Sequence, residues 1–338
     1  ARAGMTVILA EQDFECGGQL LASRATIDGG PAMDWVERIV SELRSLPHVT
    51  LLTATTVFGL YDHGNAGLLQ RLDLAGTEST TRQRYWRVRA KQTLLATGAI
   101  EQPLVFDHND LPGIMLASSV RHYANRYAVA AGRRIAFATN NDSAYLAALD
   151  LAAAGVEVPL LLDSRASAPA ALADTLRARG VEVRVNAVVV KASGGKALRS
   201  LRFGTLSAGG SVSDERSIDC DTLGVSGGWA PTVHLFSHAR GTLDFDQLRQ
   251  CFLPRSGTAP VLCAGSITGS ATLVETFASA SDALNKAAGT ATLPAVKEPG
   301  IRAEVGIVHR RPARHGRRQW LDLQHDVTVK DVELAISE

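Results

Sequence analysis

The chain alternates between short apolar runs and longer stretches whose apolar positions recur at helical spacing. Residues 5–10 (MTVILA) form the kind of run a parallel strand needs when both its faces are buried, and Glu11 closes it. Ala1 to Gly4, ahead of it, read as the last turn of a helix with a glycine stop. Residues 15–20 (ECGGQL) are a glycine turn: small residues there would let the backbone approach a ligand, and an ordinary turn explains them equally well. Residues 31–46 carry a helical stripe with Pro31 near its start, and Val49 to Val57 reads as the next strand. Residues 67–76 and 84–90, the latter alternating as RYWRVRA, predict a short antiparallel excursion. A buried strand, Thr93 to Ala96, then runs into Thr97-Gly98-Ala99, with Pro103 close behind.

The pattern restarts over residues 133–165: strand, loop, alanine-rich helix, strand, and Asp163 at the second strand's end. That is the spacing of a βαβ nucleotide fold. Residues 168–190 add a helix and a strand, 193–217 a polar hairpin and loop, and Cys220 to Val225 a strand entering SGGWAPTVHLF. Residues 263–288 give an apolar strand end, a glycine turn and a long helix whose N-terminus can face a pyrophosphate. Residues 289–300 read as a Gly/Pro/Thr-rich linker, 306–318 as a strongly basic run, and the last stretch ends in a candidate helix.

These elements predict an α/β fold of two Rossmann-like lobes, the second inserted in the first. The first lobe is expected over 1–110 and 246–288, the second over 111–245, and a linker with the start of a C-terminal extension over 289–338. Two-dinucleotide flavoproteins of the disulfide-reductase-like kind place an ATG tripeptide where the chain leaves the first lobe, as Ala96-Thr97-Gly98 does here. An ordinary strand and turn is the plainer alternative. Glu11 stands where a Rossmann acid accepts hydrogen bonds from the adenosine ribose, ~20 residues after the first glycine of the phosphate loop. The strand and GxGxxG loop expected ahead of it are not in the sequence, so the chain reads as starting after its first βα unit. In the second lobe the corresponding loop is Thr139-Asn140-Asn141-Asp142-Ser143. It lacks glycines and adds a negative charge, so this lobe is expected to keep the fold without a tightly bound nucleotide.

Composition narrows the classes further. The chain has 338 residues, 46% of them hydrophobic and 20% charged, with a formal net charge of +1, which favours neither nucleic acid nor an anionic membrane. No apolar run approaches the ~18 residues of a membrane helix. Cys16, Cys220, Cys251 and Cys263 form no CxxC pair, and Cys16 has no CxxxxC partner for disulfide chemistry. A reducing, cytoplasmic setting is the simpler expectation. His234 and His238 are spaced for a metal, yet no second ligand pair accompanies them. No nucleophile elbow or paired-carboxylate motif marks a catalytic residue. Arg121, His122 and Tyr123, on a predicted helix, face either a flavin, a partner or ordinary packing. The basic run Arg310 to Arg318 lacks interleaved aromatics and reads as a solvated or subunit-facing linker.

Five segments, EQDFECGGQLL, TLLATGAIEQPLVF, TNNDSAYLAALDLAAAGVEV, VSGGWAPTVHLFSH and DLQHDVTVKDVELA, resemble the alpha subunit of heterotetrameric, bacterial-type sarcosine oxidase, in order and over nearly the whole chain. The resemblance implies a part in oxidative demethylation of sarcosine to glycine, with hydrogen peroxide and a one-carbon unit for tetrahydrofolate. It implies NAD, or FAD as in related proteins, in the first lobe, an FMN between alpha and beta subunits, and an FAD on the beta subunit. Beta, gamma and delta subunits are the implied partners, with folate held by a following domain that this sequence stops short of. By position it implies Glu11 on the ribose, Gln12, Gln19 and Val57 on the adenosine side, and Thr97 and Gly98 at the crossing. Ala264, Gly265, Thr268, Gly269 and Ala271 would line the closing turn. Ala10 stands where the family tends to have a second acid. An independent FAD-dependent amine dehydrogenase and a scaffold without redox chemistry remain as alternatives.

Overall fold

The computed structural model describes residues 1–73, 81–256, 260–287, 293–306 and 318–338. Most of the basic run and part of the linker lie outside them. In chain order, strand β1 (Val7–Ala10) is followed by helix α1 (Ala32–Ser45) and strands β2 (Val49–Leu52), β3 (Thr55–Tyr61), β4 (Asn65–Arg71), β5 (Gln83–Arg89) and β6 (Thr93–Leu95). Then come β7 (Ile114–Leu116), α2 (Ala117–Tyr127), β8 (Ile135–Thr139), α3 (Ser143–Ala153), β9 (Leu160–Asp163), α4 (Ala170–Arg177) and β10 (Glu182–Arg184). Strands β11 (Ala187–Gly194), β12 (Leu198–Leu206), β13 (Val212–Asp219) and β14 (Thr222–Ser226) lead to α5 (His234–His238). The chain continues through β15 (Thr242–Asp246), β16 (Cys251–Ser256), β17 (Val261–Cys263), α6 (Leu273–Ala287) and α7 (Val329–Ser337). Ala1 to Gly4 form only a turn, closed by the Gly4 amide donating to the Ala1 carbonyl at 2.9 Å.

The chain divides into two compact units. Unit 1 comprises Ala1–Ile100, Pro231–Asp246 and Cys251–Gly300; unit 2 comprises Glu101–Ala230, Gln247–Gln250 and Ile301–Glu338. Most of unit 2, Glu101–Ala230, is thus inserted between segments of unit 1, and its last segment follows them in the chain. The stretch Pro231–Asp246, grouped with the second lobe by its sequence, packs with unit 1 because Phe236 of α5 is buried among Leu52, Leu60, Leu95 and Ile267. The segment from Ile301, read as an extension, packs with unit 2.

In unit 2 the parallel sheet has the order β7-β14-β8-β9-β10, with β8, β9 and β14 buried at every position. Both faces are covered, as a continuous apolar strand requires. On one face Phe137 and Leu161 meet Val120, Tyr145, Leu151 and Leu176 from α2, α3 and α4. On the other, Ala138, Leu162 and Val225 meet Leu201 and Phe203 of the antiparallel sheet β11-β12-β13. Gly224 is needed on β14, because a Cβ there would stand 2.5 Å from the Phe137 ring.

Unit 1 is built differently. Its parallel strands form two separate pairs, β1 with β2 and β6 with β17, beside the antiparallel sheet β3-β4-β5. The single strand expected over Val49 to Val57 breaks at Ala54, whose positive φ of 51° turns the chain from the parallel pair into the antiparallel sheet. The antiparallel excursion is present as β4 and β5 in continuous register from Asn65–Arg89 to Arg71–Gln83. The expectation that the first strand is buried on both faces does not hold: Ile8 is 41% and Leu9 39% exposed, and Leu94 on β6 is 45% exposed. Among the described residues each strand of these pairs has one neighbouring strand, and because Ile8 and Leu9 point to opposite faces, neither face of β1 is fully covered. Helix α1 follows its amphipathic pattern, burying Ala32 and Val36 and setting Asp34 in the first turn and Arg44 in the last, where they suit the helix dipole.

Candidate functional site

In unit 1 several of the expected residues, Glu11, Thr97, Gly98, Ala264 and Gly265, follow the carboxyl ends of the two parallel pairs, where open α/β folds receive ligands. The β1–β2 register ends at Ala10 opposite Leu52, which puts Glu11 at the tip; its amide donates to the Leu52 carbonyl at 2.8 Å. One carboxylate oxygen accepts the Asp13 amide at 2.9 Å. Among the described residues the other oxygen has no hydrogen-bond donor. Val57 and Ala10 pack on the same core cluster as Leu95, Cys263 and Ile267.

The β6–β17 pair ends at Leu95 opposite Cys263, and the Ala264 amide donates to the Leu95 carbonyl at 2.9 Å. Thr97 and Gly98 follow the end of β6, and Ala264 and Gly265 the end of β17. The Thr97 hydroxyl donates to the Thr232 carbonyl at 2.7 Å, and the Thr232 amide donates to the Gly98 carbonyl at 2.9 Å. Gly98 has φ +71° and nothing within 4 Å of where a Cβ would stand, an open cradle at the crossing. The Thr268 hydroxyl donates to the Gly265 carbonyl at 2.8 Å, and Gly269 takes φ +85° to close the turn into α6. Gln12 is exposed, and Gln19 is exposed on a 3-10 turn above a separate cluster of Leu20, Ile27, Ala32 and Val36.

The amides ahead of α6 were expected to face a pyrophosphate. They are already partnered: Glu275 accepts the amides of Ala271 at 2.7 Å and Thr272 at 3.2 Å, and Glu298 accepts that of Leu273 at 2.5 Å. Two carboxylates therefore sit where an anion would have to bind. Glu275, three residues after Thr272, was legible as a capping-box acid; Glu298 comes from a stretch that sequence marks only as linker. The thiols nearby are not activated. Cys16 is pushed up by burial and by the Glu11 charge, and burial pushes Cys263 up to about 11. Both stay protonated at neutral pH, as thiolate chemistry does not allow.

The equivalent positions of unit 2 are consumed internally. Asp163, at the end of β9, is fully buried; its carboxylate accepts the Tyr145 hydroxyl at 2.8 Å and Arg165 Nη2 at 2.7 Å. Arg165 also reaches Asp142 at 2.7 Å, and Arg302 donates to Asp142 from its amide at 2.8 Å and Nη2 at 3.0 Å. Burial alone would raise the Asp142 carboxyl, but the hydrogen bonds from Arg302 and Arg165 outweigh it and hold it below the ordinary carboxylate range. Asn141 Nδ2 donates to the Ser226 hydroxyl at 2.8 Å, and Trp229 Nε1 to the Ser143 hydroxyl at 3.0 Å. Glu101, missed in the sequence, is buried and accepts the Ser118 amide at 2.7 Å; burial pushes its carboxyl up. His238 has a structural partner, its Nδ1 accepting the Leu60 amide at 3.2 Å, and Arg121 pairs with Asp150 at 2.6 Å. Among the described residues no helix is long and apolar enough to cross a membrane.

The fold is the disulfide-reductase-like α/β fold with Rossmann-like lobes. Thioredoxin reductase of T. acidophilum matches with a TM-score of 0.60 at 15% identity, over 83% of this chain and 87% of that one. L-proline dehydrogenase of P. horikoshii matches with a TM-score of 0.58 at 19% identity, over 78% of this chain and 46% of that one. No family model matches the sequence. Sarcosine oxidase subunit alpha of Corynebacterium sp. (strain U-96) is 37% identical over 350 residues, covering 98% of this chain and 36% of the relative. That of Rhizobium meliloti (strain 1021) is 38% identical over 349 residues, covering all of this chain and 34% of the relative. The chain belongs with the sarcosine oxidase alpha subunits, and it spans about a third of the length of these curated relatives.

Proposed function

We propose that this chain is the dinucleotide-binding part of a sarcosine oxidase alpha subunit, acting within a multi-subunit oxidoreductase. The observation that carries the reading is the placement of Glu11, Thr97, Gly98, Ala264 and Gly265 just past the carboxyl ends of two parallel strand pairs that share one core, with Val57 of β3 packed on that core. Glu11 keeps an acceptor for a ribose hydroxyl, and Gly98 leaves room for a close approach. These residues fit the ribose and the closing turn of a dinucleotide, NAD or FAD. They hold and orient it; bound, such a group supplies a hydride- or electron-accepting ring. The functional division proposed is a first lobe over 1–110 with 246–288 and a second over 111–245. Oxidation of sarcosine itself, the FMN at an alpha/beta interface, the FAD on beta, and folate chemistry belong to the wider assembly of beta, gamma and delta subunits. The setting proposed is cytoplasmic.

A scaffold reading is favoured by one observation: Glu275 and Glu298 occupy the amides ahead of α6. One experiment separates the two. The full-length natural protein, co-expressed with its partner subunits, is denatured and its released cofactors are quantified by chromatography and mass spectrometry. About one NAD or FAD per alpha subunit, lost in Glu11→Ala, supports the dinucleotide reading. A complex that assembles and makes peroxide from sarcosine with no dinucleotide on alpha supports the scaffold. No complex and no sarcosine-dependent peroxide overturns both.

A further inference from the structure

The second lobe's crevice is filled by the chain itself. In a nucleotide-type lobe the turn from β8 into α3 receives a phosphate at the helix N-terminus. Here segment 301–306 runs across that turn. Its Gly306 amide donates to the Asn140 carbonyl at 2.7 Å, and Asn140 Nδ2 returns a bond to the Gly306 carbonyl at 2.7 Å. Arg302 grips Asp142 through its backbone amide and through Nε and Nη2, at 2.8, 3.1 and 3.0 Å. Ile301 packs against the core beneath α3 and α4.

Two glycines admit this segment. A Cβ on Gly306 would stand 2.8 Å from Arg165 Cγ, and one on Gly228 would stand 2.9 Å from Val305 Cγ1. The fit therefore depends on bare backbone on both sides. The charges are complementary as well. Asp142, with no side-chain exposure, is an anion fixed where a phosphate would lie, and Arg302 arrives from the segment as its counter-charge.

We propose that the segment 301–306 is the built-in occupant of the second lobe's nucleotide crevice, that Arg302 on Asp142 is its lock, and that this lobe anchors polypeptide instead of binding NAD(P)H. The proposal is independent of the first lobe's cofactor, whose content is read separately. A nucleotide phosphate entering this crevice would have to displace the paired Gly306–Asn140 bonds and three Arg302 bonds and then face the Asp142 carboxylate.

Hydrogen–deuterium exchange on the full-length protein, with and without millimolar NADH or NADPH, tests it. The expected result is no change at residues 139–145 and 301–306 with either nucleotide. Arg302→Ala should speed exchange of 301–306 at least tenfold and leave the first-lobe cofactor content unchanged. Asp142→Asn should do the same, and the double variant should exchange no faster than the faster single one. Arg302 is partly exposed, so its alanine variant remains informative where Asp142→Asn fails to fold. Protection of 139–145 by a nucleotide in the wild-type protein, or unchanged exchange of 301–306 in Arg302→Ala, overturns the proposal.

Discussion

Glu11, just after β1 in unit 1, and Asp163, at the end of β9 in unit 2, hold corresponding places in two nucleotide-type folds. The Glu11 carboxylate accepts one hydrogen bond from its own loop, and among the described residues its second oxygen has no donor. Asp163 is fully buried and saturated by Tyr145 and Arg165, and the latter bridges on to Asp142. The surroundings follow the same division. The sheet of unit 2 is covered on both faces and its crevice is filled by the chain, whereas the parallel pairs of unit 1 leave Ile8, Leu9 and Leu94 exposed. A strand-end acid thus marks a Rossmann-like unit, and its hydrogen-bond partners decide whether it can serve a ligand.

The largest effect should come from Arg165. Its guanidinium, 8% exposed, lies between two carboxylates with no exposure of their own. Arg165→Met should destabilise the protein by about 3–5 kcal/mol, the scale of breaking a buried ion pair from one side. Urea denaturation followed by unit 2 tryptophan fluorescence (Trp229, Trp320) reads it; a loss under about 1 kcal/mol would mean that solvent reaches the pair. The same cluster sets an acid limit. Asp142 has a folded pKa below its unfolded value, so its stabilisation is present above the ordinary carboxylate range and is lost as pH falls below it. Asp142→Asn should flatten that acid limb.

Next in size is the matched substitution in unit 1. Glu11→Gln should weaken dinucleotide retention by roughly 10- to 100-fold, the worth of a charge-assisted hydrogen bond of about 1.5–3 kcal/mol. It should change stability little, because Glu11 is only partly buried and its loop bond can be kept by an amide oxygen. Asp163→Asn should do the reverse, lowering stability with first-lobe cofactor content intact. Equal loss of cofactor in both variants would erase the contrast between the lobes. Gly98→Ala comes after these. Its backbone at φ +71° costs an alanine about 1 kcal/mol, and the new methyl enters the open cradle, so retention should fall a few-fold.

Much of this was readable along the chain. The βαβ spacing of 133–165, the acids Glu11 and Asp163 and the charge conflict at Asp142 are all local features, fixed by periodicity and by where a strand stops. What could not be read was pairing across long separations. Arg302 meets Asp142 over 160 residues and Glu298 meets Leu273 over 25; the first comes from the segment read as the start of an extension and the second from the linker. The exposure of β1 was misread for a related reason: an apolar run announces a strand suited to two covered faces, while whether other elements cover it depends on packing that the run itself does not encode. Phe236 likewise joined unit 1 through shape, because its ring fills the core between Leu60 and Ile267.

The smallest expected effect probes how the second lobe tolerates so many buried polar groups. Glu101 is buried with its carboxyl pushed up by burial, against the opposing pull of hydrogen bonds from Ser118 and Ser226. A folded pKa above the unfolded one means that its stabilisation is complete below the ordinary carboxylate range and fades as pH rises through the raised value. Glu101→Gln removes the titration and keeps an oxygen for the Ser118 amide, bonded at 2.7 Å in the native protein. At mildly alkaline pH the variant should equal or exceed the wild type by on the order of 1 kcal/mol, the scale of one net hydrogen bond, and the gain should vanish near pH 4. Urea midpoints across that range decide it. Parallel curves would show that Glu101 stays ionised in the fold.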